Sequence, residues 1–452
     1  MKKVVLFSSN TKKRNPSHFL DMYPKWNTLW DEVADKHKDL DITLVFQLNG
    51  RYFFDIADGT IVNPPKQVNV VTLPADASID DFIRTIEDCK PDVVLALPHP
   101  ISGYDWNAIR DAAIADSLRD DGIECICCSF QTALDCFDKG RTNRVLKDNG
   151  FNAPEGFCVD HDLFRVDEEK TGSTINAYRR SVLWKIKNLV PVIIKSATGS
   201  GSIGIHVSQN FEDAKRFLLS DDFSQDMVVE RYLQGDEYGV EIHGCNGNYI
   251  VSPPFRKLSF EQSLVNDPLG LSTLKYGPVY GKKLHVDYLT SELERLANVM
   301  GFTGIVNLDL FFSDDKWYIL DINSRWSGIT SLVTAAQGRS AYDVFIEQIT
   351  GTEKDLKDPS NWKYCCQFKI PQSDSVKFDR LVEDGDLTSV SHEKIILAGE
   401  ERWYNDAVTT GYDSLTGLAE GFAALREKYP EIIPEKSVVT LKEDIDHVKC
   451  FG

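Results

Sequence analysis

The sequence predicts an α/β and α+β protein, in which an N-terminal parallel α/β domain precedes a larger α+β region and a C-terminal mixed α/β appendage. Near the N-terminus, apolar runs such as KKVVLF, DITLVFQL and PDVVLALP alternate with amphipathic stretches. That alternation is typical of parallel strands joined by helices. Further along, the runs IVNLDLFF and WYILDIN flank a short polar turn, which favours an antiparallel hairpin.

Four segments follow from this pattern, with expected bounds of 1–135, 136–240, 241–354 and 355–452. In the first, helices are predicted at SIDDFIRTIEDC and WNAIRDAAIADSLRDDG, and Gly122 caps the second of them. The second segment contains a short helix in DKGRTNRVLKDNG, the strand PVIIK, a glycine-rich loop and the strand DMVVERYL. The third contains the helix SELERLANVMG and the hairpin, and the last segment has no assigned role.

The composition excludes some classes of partner. The net charge is −19, from 50 basic and 69 acidic residues. Phosphate backbones and anionic lipids bind Lys and Arg, so we expect neither a nucleic-acid partner nor a membrane partner. No apolar run approaches the length needed to span a bilayer. The expected location is the cytoplasm.

The hairpin carries the first candidate site. Alternation places Asp321 and Asn323 on one face, and Arg325 continues that face. An odd loop centred on Asp315 would place Asp309 opposite Asp321, whereas an even loop would place them on opposite faces. Two opposed carboxylates repel unless a cation lies between them, and oxygen ligands suit Mg²⁺ or Mn²⁺. A surface hairpin with solvated acids is the alternative.

The second candidate site is Lys195 and the loop after it. Gly199, Gly201 and Gly204 match GxGxxG, but the strand-like IHVS follows where a dinucleotide fold needs a helix. We therefore predict a glycine-rich flap whose backbone amides cover phosphates. Lys195 ends an apolar strand, so its charge needs an anion. A flexible loop with an exposed lysine is the alternative.

A third group lies around Glu230 and Glu237. The strand MVVERYLQG leaves the core, so its backbone can pair with an adenine edge and a nearby carboxylate can hold ribose hydroxyls. Glutamates at strand ends are common, so this signal is weak alone. In SPPFRKLSF, Arg256 and Lys257 are candidates for a substrate carboxylate or phosphate, and a solvated basic spot is the alternative.

Taken in this order, the segments resemble the ATP-grasp superfamily over about residues 90–350. DKGRTNRVLKDNGF resembles the first lysine segment of the family, and PVIIK resembles the second lysine strand. VVERYLQGDEYGVEI resembles the adenine–ribose hinge, and LDLFF with YILDINSR resembles the metal hairpin. The resemblance implies two α+β subdomains that clasp ATP.

The resemblance also implies roles for individual residues. The implied nucleotide ligands are Lys139, Lys195, Thr198, Gly199, Ser200, Gly201, Ser202, Glu230, Arg231, Tyr232, Leu233 and Glu237. The implied Mg²⁺ ligands are Asp309, Asp321 and Asn323; Arg325, Lys195 and Asn307 are the implied catalytic residues. Arg256, Lys257, Ser327 and Gly328 are the candidate substrate contacts.

Two branches of the superfamily are similar to this sequence. FDKGRTNRVLKDNGF is similar to D-alanine–D-alanine ligases, whereas the ending x-x-Asn-x-Arg is similar to biotin carboxylase and carbamoyl phosphate synthetase. We expect an ATP-dependent ligase that joins a small carboxylate to an amine, assembled as a homodimer. An ATP-dependent carboxylase and a non-catalytic nucleotide-binding regulator are the alternatives.

Overall fold

In the described part of the chain, three β-sheets organise the fold. The structure, a computed structural model, describes residues 1–10, 19–47, 64–98, 106–166, 176–198, 205–260, 272–350, 361–370, 375–397 and 400–449. None of the helices in these ranges combines the length and the apolarity needed to cross a bilayer.

The first sheet is parallel and lies near the N-terminus, as predicted. Its strands, in the order β4-β3-β1-β5-β6, are β1 Lys2–Ser8, β3 Leu40–Gln47, β4 Asn69–Leu73, β5 Val93–Ala96 and β6 Cys125–Ile126. The helices of this region are α1 Trp26–Lys36, α2 Ile79–Asp88, α3 Trp106–Asp120 and α4 Phe130–Phe137. Both sheet faces are covered: Val4 and Leu6 pack with Trp30, while Val5 and Phe7 pack with Phe82. A parallel sheet buried on both faces explains the continuous apolar runs.

The second sheet is antiparallel and has four strands in the order β7-β10-β8-β9. They are β7 Gly156–Val159, β8 Val192–Ser196, β9 His206–Ser208 and β10 Met227–Arg231. The helices around them are α5 Lys139–Asp148, α6 His161–Arg165, α7 Ala177–Leu189 and α8 Phe211–Leu219. One face carries Ile194 and Val229 into an apolar core, and alternation sends Lys195 and Glu230 to the other face.

The third sheet contains ten strands. In the order β16-β15-β11-β13-β14-β17-β19-β18-β2, with β12 beside β11, they are β2 Phe19–Tyr23, β11 Asp236–Cys245, β12 Asn248–Val251, β13 Phe255–Ser259, β14 Thr273–Gly277, β15 Gly304–Ser313, β16 Lys316–Asn323, β17 Cys365–Ile370, β18 Leu387–Leu397 and β19 Glu400–Thr409. β14 pairs with β17, so one continuous sheet draws strands from both sides of position 354.

The two faces of this sheet differ in character. The helices of the region are α9 Val286–Met300, α10 Thr330–Ala336, α11 Ala341–Thr350, α12 Ser375–Glu383, α13 Leu415–Lys428 and α14 Glu435–Lys449. One face presents apolar residues such as Tyr238 and Leu308 to a core that includes Leu293 of α9 and Phe422 of α13. On the other face, α10 covers only part of the surface, and a row of charged side chains occupies the rest.

Candidate active site

The hairpin of β15 and β16 brings Asp309 and Asp321 directly opposite each other. Of the two loop lengths considered from the sequence, the even one is present, and the acids nevertheless face each other. The turn has two residues, Asp314 and Asp315, both with positive φ, and Ser313 pairs with Lys316. A β-bulge at Leu320 then adds one residue to β16 and moves Asp321 into register with Asp309.

The bulged residue also makes a contact with the second sheet. The Leu320 carbonyl oxygen accepts a hydrogen bond from Lys195 Nζ at 3.3 Å. The same ammonium lies 2.8 Å from Glu230 Oε2, and both side chains are buried. Burial opposes the charge of Lys195, but Glu230 and Asp321 outweigh it and raise the pKa of Lys195 above its ordinary value. Lys195 therefore stays cationic beside the hairpin.

A second lysine reaches the hairpin from α5. Asp138 caps this helix by accepting from the Gly140 and Arg141 amides, and the Lys139 amide donates to the Ala197 carbonyl at the end of β8. Lys139 Nζ lies 2.7 Å from Asp321 Oδ2. The helix start and the strand end therefore place two ammonium groups on one side of the acid pair.

A third lysine neutralises the other acid. Lys257 Nζ contacts Asp309 and lies 3.2 Å from Glu237 Oε1. Burial opposes ionisation of Asp309, but Lys257, Lys275 and Lys139 lower its pKa below the ordinary value. Asp309 is thus a carboxylate, and each acid of the hairpin is paired with a lysine.

The chain after β16 orients a buried guanidinium. Arg325 donates through Nη2 to Asn323 Oδ1 at 2.9 Å and through Nη1 to the Trp326 carbonyl at 3.2 Å. Asn307 lies opposite Asn323 and donates to the Val240 carbonyl at 3.3 Å. Arg325 is 8% exposed, so its direction is set by these contacts and by packing.

A buried hydrogen-bond network fixes the next residues. Ser327 Oγ donates to Glu241 Oε1 at 3.1 Å, and the Thr330 hydroxyl contacts the same oxygen. His243 Nε2 lies 3.0 Å from Glu241 Oε2. The Trp326 amide donates to the Pro98 carbonyl after β5, which joins this loop to the N-terminal sheet. Ser327 therefore holds the loop through its side chain.

The residues of the hairpin fit a hard divalent cation. In the ranges that the structure describes, no three His, Cys, Asp or Glu side chains converge as a metal site. The hairpin offers two carboxylates and the Asn323 amide instead. The lysines at Asp309 and Asp321 mark positions where positive charge is stabilised. Such a set leaves coordination sites for phosphate oxygens and water, as Mg²⁺ prefers.

Residues 136–329 match the family model described as the ATP-grasp domain. The chain contains an ATP-grasp domain. The matched range includes α5, the second sheet and the acid hairpin, which are the elements that build the site. The lysine segments, the hinge and the hairpin that resembled this superfamily in sequence all lie within it.

Known proteins of this superfamily are similar to the chain. A carbamoyl-phosphate synthase of Methanobrevibacter smithii is 25% identical over 276 residues, which cover 60% of this chain and 69% of that protein. A D-alanine–D-alanine ligase of Coprothermobacter proteolyticus is 23% identical over 260 residues, 55% of this chain and 77% of that protein. The crystal structure of an L-amino acid ligase from Bacillus licheniformis superposes with a TM-score of 0.62 at 15% identity, covering 96% of this chain and 99% of that one. At 15% identity, this superposition shows that the two chains share a fold.

The segment that resembles the adenine–ribose hinge in sequence begins where β10 ends. The Arg231 guanidinium lies 2.7 Å from Glu155, and the Tyr232 amide donates to the Pro191 carbonyl at 2.9 Å. Within the described residues, the Leu233 backbone has no hydrogen-bond partner. Its amide and carbonyl are therefore available to an adenine edge.

The glycine-rich loop that was predicted to cover phosphates is described only at its start. Thr198 is exposed directly after β8 and Ala197. The predicted ligands Gly199, Ser200, Gly201 and Ser202 lie outside the described residues. Their role stays a prediction from sequence.

Arg256 and Lys257, which are adjacent in sequence, point in opposite directions. Lys257 faces the acid hairpin, whereas Arg256 lies 2.6 Å from Asp236 and 3.0 Å from Asp444 of α14. Strand alternation forces this split. The structure therefore brings Lys257 to the ATP-grasp site and leaves Arg256 in a buried ion-pair network on the other face.

Lys275 is a site residue that the sequence analysis missed. It lies opposite Lys257 on β14, and its Nζ donates to the Gly328 carbonyl at 3.0 Å. Burial lowers the pKa of Lys275 to about 8, with Lys369 and Lys257 adding repulsion while Asp406 and Asp309 oppose the shift. One signal existed: a lysine within the apolar run STLKYG needs an anion, by the argument applied to Lys195.

Lys195→Ala is expected to weaken ATP binding about ten- to a hundredfold, because a charge-assisted contact to phosphate is lost. Titration calorimetry with a non-hydrolysable ATP analogue measures the change. Lys187→Ala, an exposed lysine of α7, is the matched control and should bind like the wild type. Unchanged affinity in Lys195→Ala would remove this lysine from the phosphate site.

Proposed function

We propose that this protein is an ATP-dependent, ADP-forming ligase that joins a small carboxylate to an amine through an acyl phosphate. The observation that carries the proposal is the hairpin, in which Asp309 and Asp321 face each other with Lys139, Lys195 and Lys257 around them. Carboxylates and ammonium groups converge there. Such a site suits phosphoryl transfer between substrates.

The nucleotide is proposed to lie between the second sheet and the hairpin. Glu230 and the Leu233 backbone would bind the adenine, and Glu237 would bind the ribose; the unpaired Leu233 amide and carbonyl support this assignment. Lys139 and Lys195 would bind the phosphates, exchanging their present carboxylate partners for phosphate oxygens. Mg²⁺ held by Asp309, Asp321 and Asn323 would neutralise charge on the phosphates.

The acid substrate is proposed to lie at the end of the hairpin. Lys275 offers two N–H donors beyond the one given to Gly328, and Arg325 presents a buried guanidinium nearby in sequence. A carboxylate oxygen of the substrate attacks the γ-phosphorus of ATP, and ADP leaves with the bridging oxygen. Arg325 stabilises the charge on the transferring group, because its fork of donors is fixed before the reaction.

The second half-reaction forms the new bond. The amine nitrogen attacks the acyl carbon, the bond from that carbon to the phosphate oxygen breaks, and phosphate leaves with the electron pair. The nitrogen loses its extra proton to water. The protein's contribution is alignment and charge stabilisation, since no covalent enzyme intermediate is required.

A phosphate-release screen tests the proposal. Wild-type protein with ATP and Mg²⁺ is offered the twenty common amino acids, dipeptides and small carboxylates in pairs, and products are identified by mass spectrometry. Phosphate release that needs both an acid and an amine, with formation of their amide, is expected. Bicarbonate-dependent release would indicate a carboxylase, and no release with any pair would indicate a nucleotide-binding regulator.

Lys275 gives a prediction on pH. Its ammonium form binds the acid, and the proton is lost as pH rises through about 8, so kcat/KM for the acid should fall above that pH. Lys275→Arg keeps the charge and should remove this alkaline fall, while Lys275→Met should lower kcat/KM about ten- to a hundredfold at pH 7. An unchanged alkaline fall in Lys275→Arg would assign it to another group.

A further inference from the structure

Beyond Lys275, the polar sheet face continues onto β17 and β19. Gln367 lies directly opposite Lys275, and Lys369 lies directly opposite Asp406. Since directly opposed residues share a face, these four side chains lie on one surface. We call Gln367, Lys369 and Asp406 the floor cluster. Neighbouring strands are about 4.8 Å apart, so the cluster begins one strand beyond Lys275.

Two acceptor atoms in the floor cluster have no hydrogen bond. Gln367 Oε1 and Asp406 Oδ1 are buried, and neither has a donor. Gln367 is only 4% exposed. A buried acceptor without a donor costs free energy, so such pairs are uncommon unless a ligand or water supplies the donor. Each of these two oxygens could accept a hydrogen bond from an N–H or O–H group.

The charge of Asp406 indicates which class of donor binds to its Oδ1. Burial raises the pKa of Asp406, but Lys369 and Lys275 oppose the rise. Among the acids around Lys275, Asp406 contributes most to keeping that lysine charged. Asp406 therefore interacts electrostatically with Lys275, the lysine proposed to bind the acid, while its Oδ1 has no hydrogen bond. An amine, which becomes positive as it forms the new bond, suits that oxygen better than a hydroxyl does.

We infer that Gln367 Oε1 and Asp406 Oδ1 bind the amino group of the acceptor, as the amine subsite of the proposed ligase. The inference rests on the proposed function and names its second substrate as a primary amine. Lys275 on β14 holds the acid, and the floor cluster on β17 and β19 holds the amine. Acid and amine then lie side by side, as C–N bond formation requires.

The alternative occupant is a structural water, which would satisfy both acceptors without any role in binding. The two cases differ in which kinetic constant changes. Loss of an amine subsite raises KM for the amine and leaves acyl phosphate formation intact. Loss of a structural water lowers stability and changes no substrate constant selectively.

Hydroxylamine separates the two half-reactions. It is a small neutral nucleophile that converts an acyl phosphate to a hydroxamate with release of phosphate, and at high concentration it needs no subsite. Wild type, Asp406→Asn and Gln367→Leu are assayed with hydroxylamine, with the twenty common amino acids, and with ethanolamine and putrescine as acceptors. Asp413→Asn is the matched control, because that acid is exposed in the same segment.

Asp406→Asn and Gln367→Leu should each raise KM for the best amine about ten- to a hundredfold and keep hydroxamate formation within about twofold of wild type. An unchanged amine KM in both variants overturns the inference and leaves the ligase proposal standing. The inference is also overturned, and the ligase proposal kept, if the wild type turns over with hydroxylamine but with none of the amines tested. Absence of hydroxamate from wild type with every acid overturns the ligase proposal itself. Melting curves identify a variant that does not fold, and the other variant then decides.

Discussion

Arg325→Ala should lower kcat by about a hundred- to a thousandfold and change ATP affinity by no more than about threefold. The guanidinium is buried and is fixed by Asn323 and by the Trp326 carbonyl. Its donors therefore stabilise the transferring group without reorganisation. Arg325 follows β16, whereas the segment proposed to bind adenine follows β10, so nucleotide affinity should persist.

The measurement is single-turnover ADP formation at saturating ATP, together with calorimetric titration of ADP. Arg295→Ala serves as the control, since that arginine pairs with Glu292 on the surface of α9 and should leave both quantities unchanged. A variant that loses ATP affinity and turnover equally would place Arg325 in ground-state nucleotide binding. Wild-type turnover would remove it from the reaction.

The residues that were predictable from sequence share one feature. Lys195, Asp309 and Asp321 each interrupt or end a run whose pattern predicts a buried element, and a charge in such a place needs a partner. That argument uses only local sequence. Lys139, by contrast, was identified only from the resemblance to the ATP-grasp superfamily. The structure pairs each of these residues with an opposite charge or a carbonyl in another element.

The route to the acid pair was not predictable. Loop length fixes register only if both strands are regular, and the bulge at Leu320 breaks that assumption. The bulge compensates for the two-residue turn, so the two acids meet although the loop is even. Its carbonyl then accepts from Lys195. The bulge at Leu320 therefore determines both the pairing of Asp309 with Asp321 and the contact with Lys195.

The residues that were missed depend on long-range strand pairing. Lys275 meets Gln367, and Lys369 meets Asp406, only because β14 pairs with β17 and β17 with β19. Alternation predicts that one face of each strand is polar, but it does not say which strands are neighbours. The choice between Arg256 and Lys257 has the same origin. The segment predicted to be a C-terminal appendage, residues 355–452, therefore contributes one end of the polar face of the third sheet.

The largest effect is expected for Asp321→Asn, for which turnover should fall about a thousandfold or more. Asparagine keeps the size of the side chain and one oxygen but removes the charge that pairs with Lys139 and that is proposed to bind a divalent cation. Asp309, on the facing strand, stays paired with Lys257 in this variant. The hairpin then has one carboxylate instead of two. The half-saturating Mg²⁺ concentration should rise as well, and calorimetric titration of ADP with and without Mg²⁺ gives a readout independent of catalysis.

Asp315→Asn is the matched control, because it makes the same chemical change six residues earlier in the same hairpin. Asp315 is exposed in the turn with a φ of 57°, a conformation that asparagine adopts readily. Turnover and Mg²⁺ dependence should therefore equal those of the wild type. If Asp321→Asn also kept the wild-type rate, opposed carboxylates on this hairpin could not be the metal site. The paired lysines would then have only a structural role.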